Sequence, residues 1–412
     1  MPSQGRRTGV LFISSAEQPG ADTFIHTLIM RSLARTEFDV HVACSAGRPD
    51  SPTPAFIVLQ GIPDLHLRPA NFGPSLTGLS RARQVAGAFG AAGTIASFLS
   101  LARYVRRHRI AILHSTDRPR DAVACAVLGK LTGAKSIIHA HLKVADWMSA
   151  SIRKSMGRVD ALIGVSEFVA RSLVEYGYDR EKTYAVLNAI DLPQWDPRLS
   201  GGSVRSELGL SPETPVIACA ARLFRGKGQD QVIRALPAVR REFPDVRLLI
   251  IGRDDRQAMR TSFTEELKTL ARELGVSENV IFTGQRSDMP AVMAAADLFA
   301  LASDEEPFGL VFAEAMAMKK PVVALDNGGT PEVVDDGKTG LLSAPGDVPA
   351  LASNILTLLR DSALRARMGE AGRRVVEQRF TAGRMAADVG RVYHSLVDQR
   401  SAQPAVLADA KL

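Results

Sequence analysis

The chain has 412 residues, 46% hydrophobic and 23% charged, an ordinary balance for a globular protein with material for two cores. No run approaches 18 consecutive apolar residues, which excludes an apolar spanning helix, and residues 9–13 are too short for a secretory h-region. A net charge of +7 and a pI near 9.5 suit an anionic partner, but 6% aromatics and the lack of zinc-finger spacing argue against nucleic acid.

Short β-rich runs alternate with longer helical ones, which predicts an α/β fold with parallel sheets. The first half reads as strands 10–14, 38–44, 110–113, 136–140, 161–165 and 183–187, with helices 21–35, 95–109, 120–131 and 167–176. In the run 95–109, Ile95, Phe98, Leu99, Ala102 and Val105 fall on one helical face, with Arg103, Arg106, Arg107 and Arg109 largely elsewhere. That pattern describes a core-facing helix with a solvated side, and its crowded arginines also suit contact with an anionic membrane surface. Residues 188–203 mix Pro, Gly and polar residues and read as a linker. The second half reads as strands 215–220, 247–252, 280–283, 297–301, 321–325 and 340–343, ending in a helix at 382–398. Cys44, Cys125 and Cys219 lie far apart in apolar surroundings without metal-ligand spacing, as expected of reduced core thiols in a cytosolic protein.

The most informative stretch is Glu306-Pro307-Phe308-Gly309-Leu310-Val311-Phe312-Ala313-Glu314, which sets a carboxylate inside an apolar, helix-like run. A buried charge needs a partner, so Glu314 should meet a ligand hydroxyl, a cation or solvent. Pro307 and Gly309 shape a turn whose amides at Gly309, Leu310 and Val311 point out of a helix start. Downstream, Thr330 is the expected cap of a short helix, with Pro331 at its first position. Ahead of these, the strand 215–220 runs into Ala221-Arg222-Leu223-Phe224-Arg225-Gly226-Lys227-Gly228, where Arg222 offers a planar fork and Lys227 a flexible ammonium. It is not a Walker A motif, because Ala221 and Gly228 occupy the places of its first glycine and its Ser or Thr.

The pair Glu306 and Glu314, with Glu-Pro-Phe-Gly before and Glu-Ala-Met-Ala after, resembles the motif of family GT4 retaining glycosyltransferases. The Arg222-Leu223…Lys227-Gly228 element and Asn188-Ala189-Ile190-Asp191 resemble further family elements, with Ala221 and Ala189 replacing glycines. The resemblance implies the GT-B architecture: a Rossmann-like acceptor-side domain at 1–190, a Rossmann-like nucleotide-sugar domain at 191–380, and a cleft between them. It also implies a helix at 381–400 returning to the first domain, followed by a tail at 401–412. By the same resemblance Arg222 and Lys227 bind the diphosphate, Glu306 the donor sugar's hydroxyls and Glu314 the ribose diol. Phe308, Gly309, Leu310 and Val311 bring backbone amides to sugar and phosphate, and Arg286 lies in the base-contacting loop. On the first domain, Pro19-Gly20-Ala21-Asp22 resembles the family's Gly-Gly-Ala-Glu loop, where Gly20 would approach a phosphate or acceptor. His139-Ala140-His141 ends a strand where the family has a cleft histidine, and His141 is preferred as the later of the two; His114 is read as structural. The implied catalytic set is His141, Glu306, Arg222 and Lys227, without metal or other cofactor. The implied reaction is sugar transfer, with retention, from a nucleotide diphosphate sugar to a hydroxyl acceptor, by front-face attack in which the leaving phosphate takes the acceptor's proton. A non-catalytic sugar-nucleotide-binding protein of the same fold is the alternative. The expected location is cytoplasmic, with peripheral membrane contact.

Overall fold

The computed structural model describes residues 7–48, 50–73, 81–255 and 262–398, with only the backbone described for 81–91. The tail 401–412 lies outside the described residues. The chain forms two compact units, one holding the chain up to Asn188 together with the segment from Ala382 onward, the other Ala189–Thr381.

The first unit is built on a parallel sheet. Its strands are β1 (Thr8–Ser14), β2 (Phe38–Cys44), β5 (His66–Pro69), β6 (Ile110–Thr116), β7 (Lys135–Ala140), β8 (Ala161–Gly164) and β9 (Thr183–Ala185), in the order β5-β2-β1-β6-β7-β8-β9. A short antiparallel hairpin, β3 (Gly47–Arg48) with β4 (Ser51–Pro52), interrupts the series. Val10 stands opposite Val40 on one side and Ile112 on the other, and Val10 to Ile13 are wholly buried. Helices cover both faces of such a sheet, which is why its strands read as unbroken apolar runs.

The helix predicted at 95–109 begins earlier, at Arg81–Arg107, and its buried face is narrower than the sequence suggested. Phe98, Leu101, Ala102 and Val105 pack against Leu11, Ile13, Leu113 and Leu128, whereas Ile95 and Leu99 are 61% and 48% exposed. The positions 98, 101, 102 and 105 follow the helical period, and this stripe leaves Leu99 turned outward. The helix Ala382–Val397 buries Met385, Ala386, Val389 and Tyr393 within the first unit, where the Tyr393 ring meets Phe38 edge-on at 5.6 Å.

The second unit repeats the plan with six parallel strands, β10 (Val216–Ala220), β11 (Arg247–Ile251), β12 (Val280–Gly284), β13 (Leu298–Leu301), β14 (Val322–Leu325) and β15 (Gly340–Ser343). Their order is β12-β11-β10-β13-β14-β15. In open α/β sheets ligands gather beyond the carboxyl ends of strands where the order reverses. That reversal falls between β1 and β6 in the first unit and between β10 and β13 in the second. The three cysteines are buried and unpaired, and burial pushes the Cys44 and Cys125 thiols up to about 12. Among the described residues no helix is long and apolar enough to cross a membrane.

Candidate active site

In the second unit three loops converge at the reversal point. The loop after β10 carries Arg222 and Lys227, the loop after β13 carries Glu306, and the loop after β14 carries Gly328 and Gly329. Glycine is required where they touch: a Cβ on Gly228 (φ +70°) would lie 1.9 Å from the Ala302 carbonyl oxygen. Main-chain bonds tie the loops together, with Asp304 N–H donating to the Gly226 carbonyl (2.8 Å) and Gly329 N–H to that of Glu306 (2.7 Å). Gly329 therefore caps the helix Thr330–Val333 in place of the expected Thr330, which is buried as the first helical residue with its hydroxyl unpartnered. A cavity of about 900 Å³ borders these loops at Gly226, Gly228 and Asp304.

This framework brings together residues 79 positions apart. Lys227 Nζ donates to Glu306 Oε2 at 2.5 Å, and Ser303 Oγ donates to the same oxygen at 2.7 Å. Both charged side chains are about five-sixths buried, so the pair is shielded from solvent while its other edges remain available. Arg222 pairs with Asp255 at 2.5 Å and lies over the Phe224 ring, but it is 66% exposed. The guanidinium thus faces solvent, while Asp255, 12% exposed, is the more buried partner of the pair. From sequence Asp255 reads as a solvated turn acid beside Asp254, whereas it is mostly enclosed and paired with Arg222; Ser303 was not singled out. Ser303, three residues before Glu306 in a loop, gave no periodic or spacing signal of its own.

Gly309 takes a left-handed conformation (φ +91°) and caps the helix Leu310–Ala317, whose first amides have no intrahelical partner. Phe308 is 2% exposed and packs edge-on against Phe380, so its side chain anchors the turn and its backbone faces the loops. Glu314 sits one turn in, half-buried; no side chain among the described residues pairs with it, and burial pushes its carboxyl up to about 7. Arg286 is placed differently from the base-contacting expectation. Its guanidinium is held on one edge by Glu207 (2.5 and 2.9 Å) and on the other by Asp288 (2.8 and 2.6 Å). Four of its five N–H donors engage these two carboxylates, and it acts as a staple between the segment around residue 207 and its own loop.

In the first unit, Gly20 caps the helix Ala21–Ser32 in an extended conformation any residue adopts. Crowding matters more there, since a Cβ on Gly20 would meet the Asp22 carboxylate at 2.8 Å. Asp22 is held by Arg118 through two bonds, one of 2.9 Å from NH2 and a second from Nε, and it accepts the Thr23 N–H at 2.8 Å. His139 is wholly buried on β7, whereas His141 follows the strand and is only half-buried. Their rings lie 4.7 Å apart, on one side of the strand as alternation predicts. The His141 N–H donates to Asp117 Oδ2 at 3.0 Å, and burial pushes the Asp117 carboxyl up to about 7. His114 is buried, with Nδ1 2.6 Å from the Tyr393 hydroxyl. The sequence reading passed over Asp117, Arg118 and His26, which topology alone brings beside His141.

Sheet order, reversal points and loop geometry define a GT-B protein, and comparison with solved structures shows the same fold. Anabaena HepE in complex with UDP and glucose is 23% identical, with a TM-score of 0.76 over 94% of this chain and 100% of that one. A glycosyltransferase from Rickettsia africae gives a TM-score of 0.78 at 20% identity, over 96% and 100%. The model described as Glycosyltransferase Family 4 matches residues 20–194 and that described as Glycosyl transferases group 1 matches 203–375. The chain belongs to glycosyltransferase family 4. It is 36% identical over 243 residues to a GDP-mannose-dependent monoacylated alpha-(1-6)-phosphatidylinositol monomannoside mannosyltransferase of Corynebacterium glutamicum, covering 56% of this chain. It is 26% identical over 311 residues to an N-acetyl-alpha-D-glucosaminyl L-malate synthase of Bacillus anthracis, covering 72% of this chain and 78% of the relative. The chain spans 61% of the length of the Corynebacterium relative and 45% of that of a similar Mycolicibacterium smegmatis protein.

Proposed function

We propose that the protein is a retaining glycosyltransferase that moves a sugar from a nucleotide diphosphate sugar to a hydroxyl acceptor without a metal at the diphosphate. The observation that carries this reading is the Lys227–Glu306–Ser303 cluster beside the open helix start at Gly309 to Val311. Lys227, Arg222 and the helix amides supply positive charge where a departing diphosphate builds negative charge. Glu306 accepts from the donor sugar's hydroxyls with the oxygen edge Lys227 leaves available, and Glu314 accepts from the ribose diol. The departing phosphate takes the acceptor's proton, so no side-chain nucleophile is required. In this reading the acceptor belongs to the first unit, and His141 serves turnover rather than donor retention.

The names of the relatives, with phosphatidylinositol mannoside in one and L-malate in another, support hydroxyl acceptors that carry an anionic group. Contact with an anionic membrane surface belongs to the same proposal. Ile95 and Leu99, one helical turn apart and exposed, share their helix with Arg103, Arg106 and Arg107, which suits apolar insertion flanked by basic anchors. A panel of UDP-, GDP- and ADP-sugars, screened by thermal shift and then by donor turnover with acceptor, tests the function. One sugar nucleotide should raise the melting temperature and be consumed. A donor that binds without ever being turned over would favour the non-catalytic alternative.

A further inference from the structure

Apart from the donor loops, the densest group of ionisable side chains is a set of histidines in the first unit. His26, His114 and His139 are each at most 3% exposed. Their rings pack with centroids 4.8 Å (His26–His114), 5.5 Å (His26–His139) and 5.4 Å (His114–His139) apart. One nitrogen from each lies within 4.8 Å of the others. Chain topology explains the gathering: His114 and His139 come from the neighbouring strands β6 and β7, and His26 from the helix that follows β1.

His114 is partnered at both ring nitrogens, by the Tyr393 hydroxyl and by His139 Nδ1, but the rings around it are not fully satisfied. The Nε2 atoms of His26, His139 and the adjacent His141 are all buried without a hydrogen bond. A buried polar group left unsatisfied is costly, and three in one cluster call for an explanation. Burial also favours the neutral imidazole, the form that offers a lone pair.

We propose that His26, His114 and His139 form a binding site for a transition-metal cation of the zinc class, with water as a fourth ligand. Tetrahedral zinc holds nitrogens at about 2.0–2.1 Å, which places ligand nitrogens roughly 3.3 Å from one another. His114 Nε2 and His139 Nδ1 already stand 3.3 Å apart. The Tyr393 hydroxyl at 2.6 Å accepts the His114 Nδ1 proton and leaves Nε2 to coordinate, the outer-shell arrangement common at metal-bound histidines. Asp22, four residues before His26, is neutralised by Arg118, and Asp117 accepts the backbone N–H of His141, so the ligands on offer are the neutral imidazoles themselves. The proposed ligands are residues of the first unit and include none of those assigned to the donor diphosphate.

A second group, Asp39, His41 and His66, also has ligand atoms within 4.8 Å of one another, but it satisfies itself. Asp39 accepts from His41 Nε2 at 3.2 Å and lies 3.3 Å from His66 Nε2, and Arg7 stands 3.9 Å away. It serves as the internal control. Protein stripped with a chelator and titrated with Co²⁺ should bind one equivalent, develop the visible bands of tetrahedral nitrogen ligation and gain several degrees in melting temperature. His26→Gln should lose the bands and weaken binding more than tenfold, whereas His66→Ala should leave both unchanged. X-ray absorption of the wild-type zinc complex should show at least three imidazoles, a readout that stands even if His26→Gln fails to fold. No stoichiometric binding by wild type, oxygen-dominated ligation, or binding lost in His66→Ala and kept in His26→Gln would overturn the site.

Discussion

The two units solve the problem of burying ionisable groups at a sheet's reversal point in opposite ways. At the second unit's reversal point the groups are charged and paired, Lys227 with Glu306 and Arg222 with Asp255. In the first, His26, His114, His139 and His141 are packed ring to ring, and burial holds them well below their ordinary range as neutral bases. A paired charge is ready to exchange its partner for a ligand of the same sign, so the second unit is prepared for a phosphate. A neutral ring offers a lone pair or a weak donor and suits contact with an uncharged sugar or a cation. The difference separates donor retention from turnover, and it can be tested by substitution.

The largest effect should follow Lys227→Ala, which removes the buried cation facing Glu306. Turnover should fall by about a hundredfold to a thousandfold and nucleotide diphosphate affinity at least tenfold, as measured by steady-state kinetics and calorimetry. If the charge neutralising the diphosphate comes from the protein, as proposed, nucleotide affinity should be equal in excess EDTA and in Mg²⁺; strict dependence on Mg²⁺ would contradict this. His141→Ala should lower the rate by about tenfold to a thousandfold with donor affinity unchanged. If His139→Ala abolishes activity while His141→Ala is silent, the accessible histidine is not the one that acts.

Much of this arrangement was legible in the chain. Every strand of the two large sheets except β5 was placed to within a few residues, because strands buried on both faces are short apolar runs between turn residues. β5, His66–Pro69, was missed because it is an edge strand with a partly exposed, mixed sequence. The Glu306 to Glu314 stretch was readable because a carboxylate in an apolar run and a glycine before a helix are local signals. Pairing was not readable. Arg286 looked like a ligand contact because Glu207, which occupies it, lies 79 residues away; the histidine cluster was invisible because its members come from three separate elements. The outward turn of Leu99 depends on which stripe of the helix meets the sheet, and an amphipathic pattern two turns wide does not fix that rotation.

A smaller effect, and one that depends on pH, is expected at Glu314. Burial pushes its carboxyl up to about 7 when folded, against an ordinary value of 4.5, so the folded protein holds this proton more tightly than the unfolded chain. Its contribution to stability is complete below about pH 4.5 and lost as pH rises through about 7. Melting temperatures of wild type and Glu314→Gln should therefore diverge over this range, the variant gaining on wild type toward pH 8. If the ribose diol donates to this carboxylate, as proposed, Glu314→Gln should weaken donor binding by about tenfold, roughly 1.4 kcal/mol. Unchanged affinity would remove Glu314 from the ribose.

The smallest effect on the ligand should come from Arg286→Ala, and it separates the sequence reading from the structural one most directly. A guanidinium engaged by two carboxylates cannot turn to a base without leaving at least one of them unpaired, so nucleotide affinity should change less than about threefold. Glu207 and Asp288 are largely exposed, and solvent takes up their charge when the arginine is removed. The expected stability change is correspondingly modest, a drop of a few degrees in melting temperature that shrinks in high salt. A loss of affinity specific to one base, with the melting temperature unmoved, would return Arg286 to the donor site and show that its two carboxylates release it when nucleotide binds.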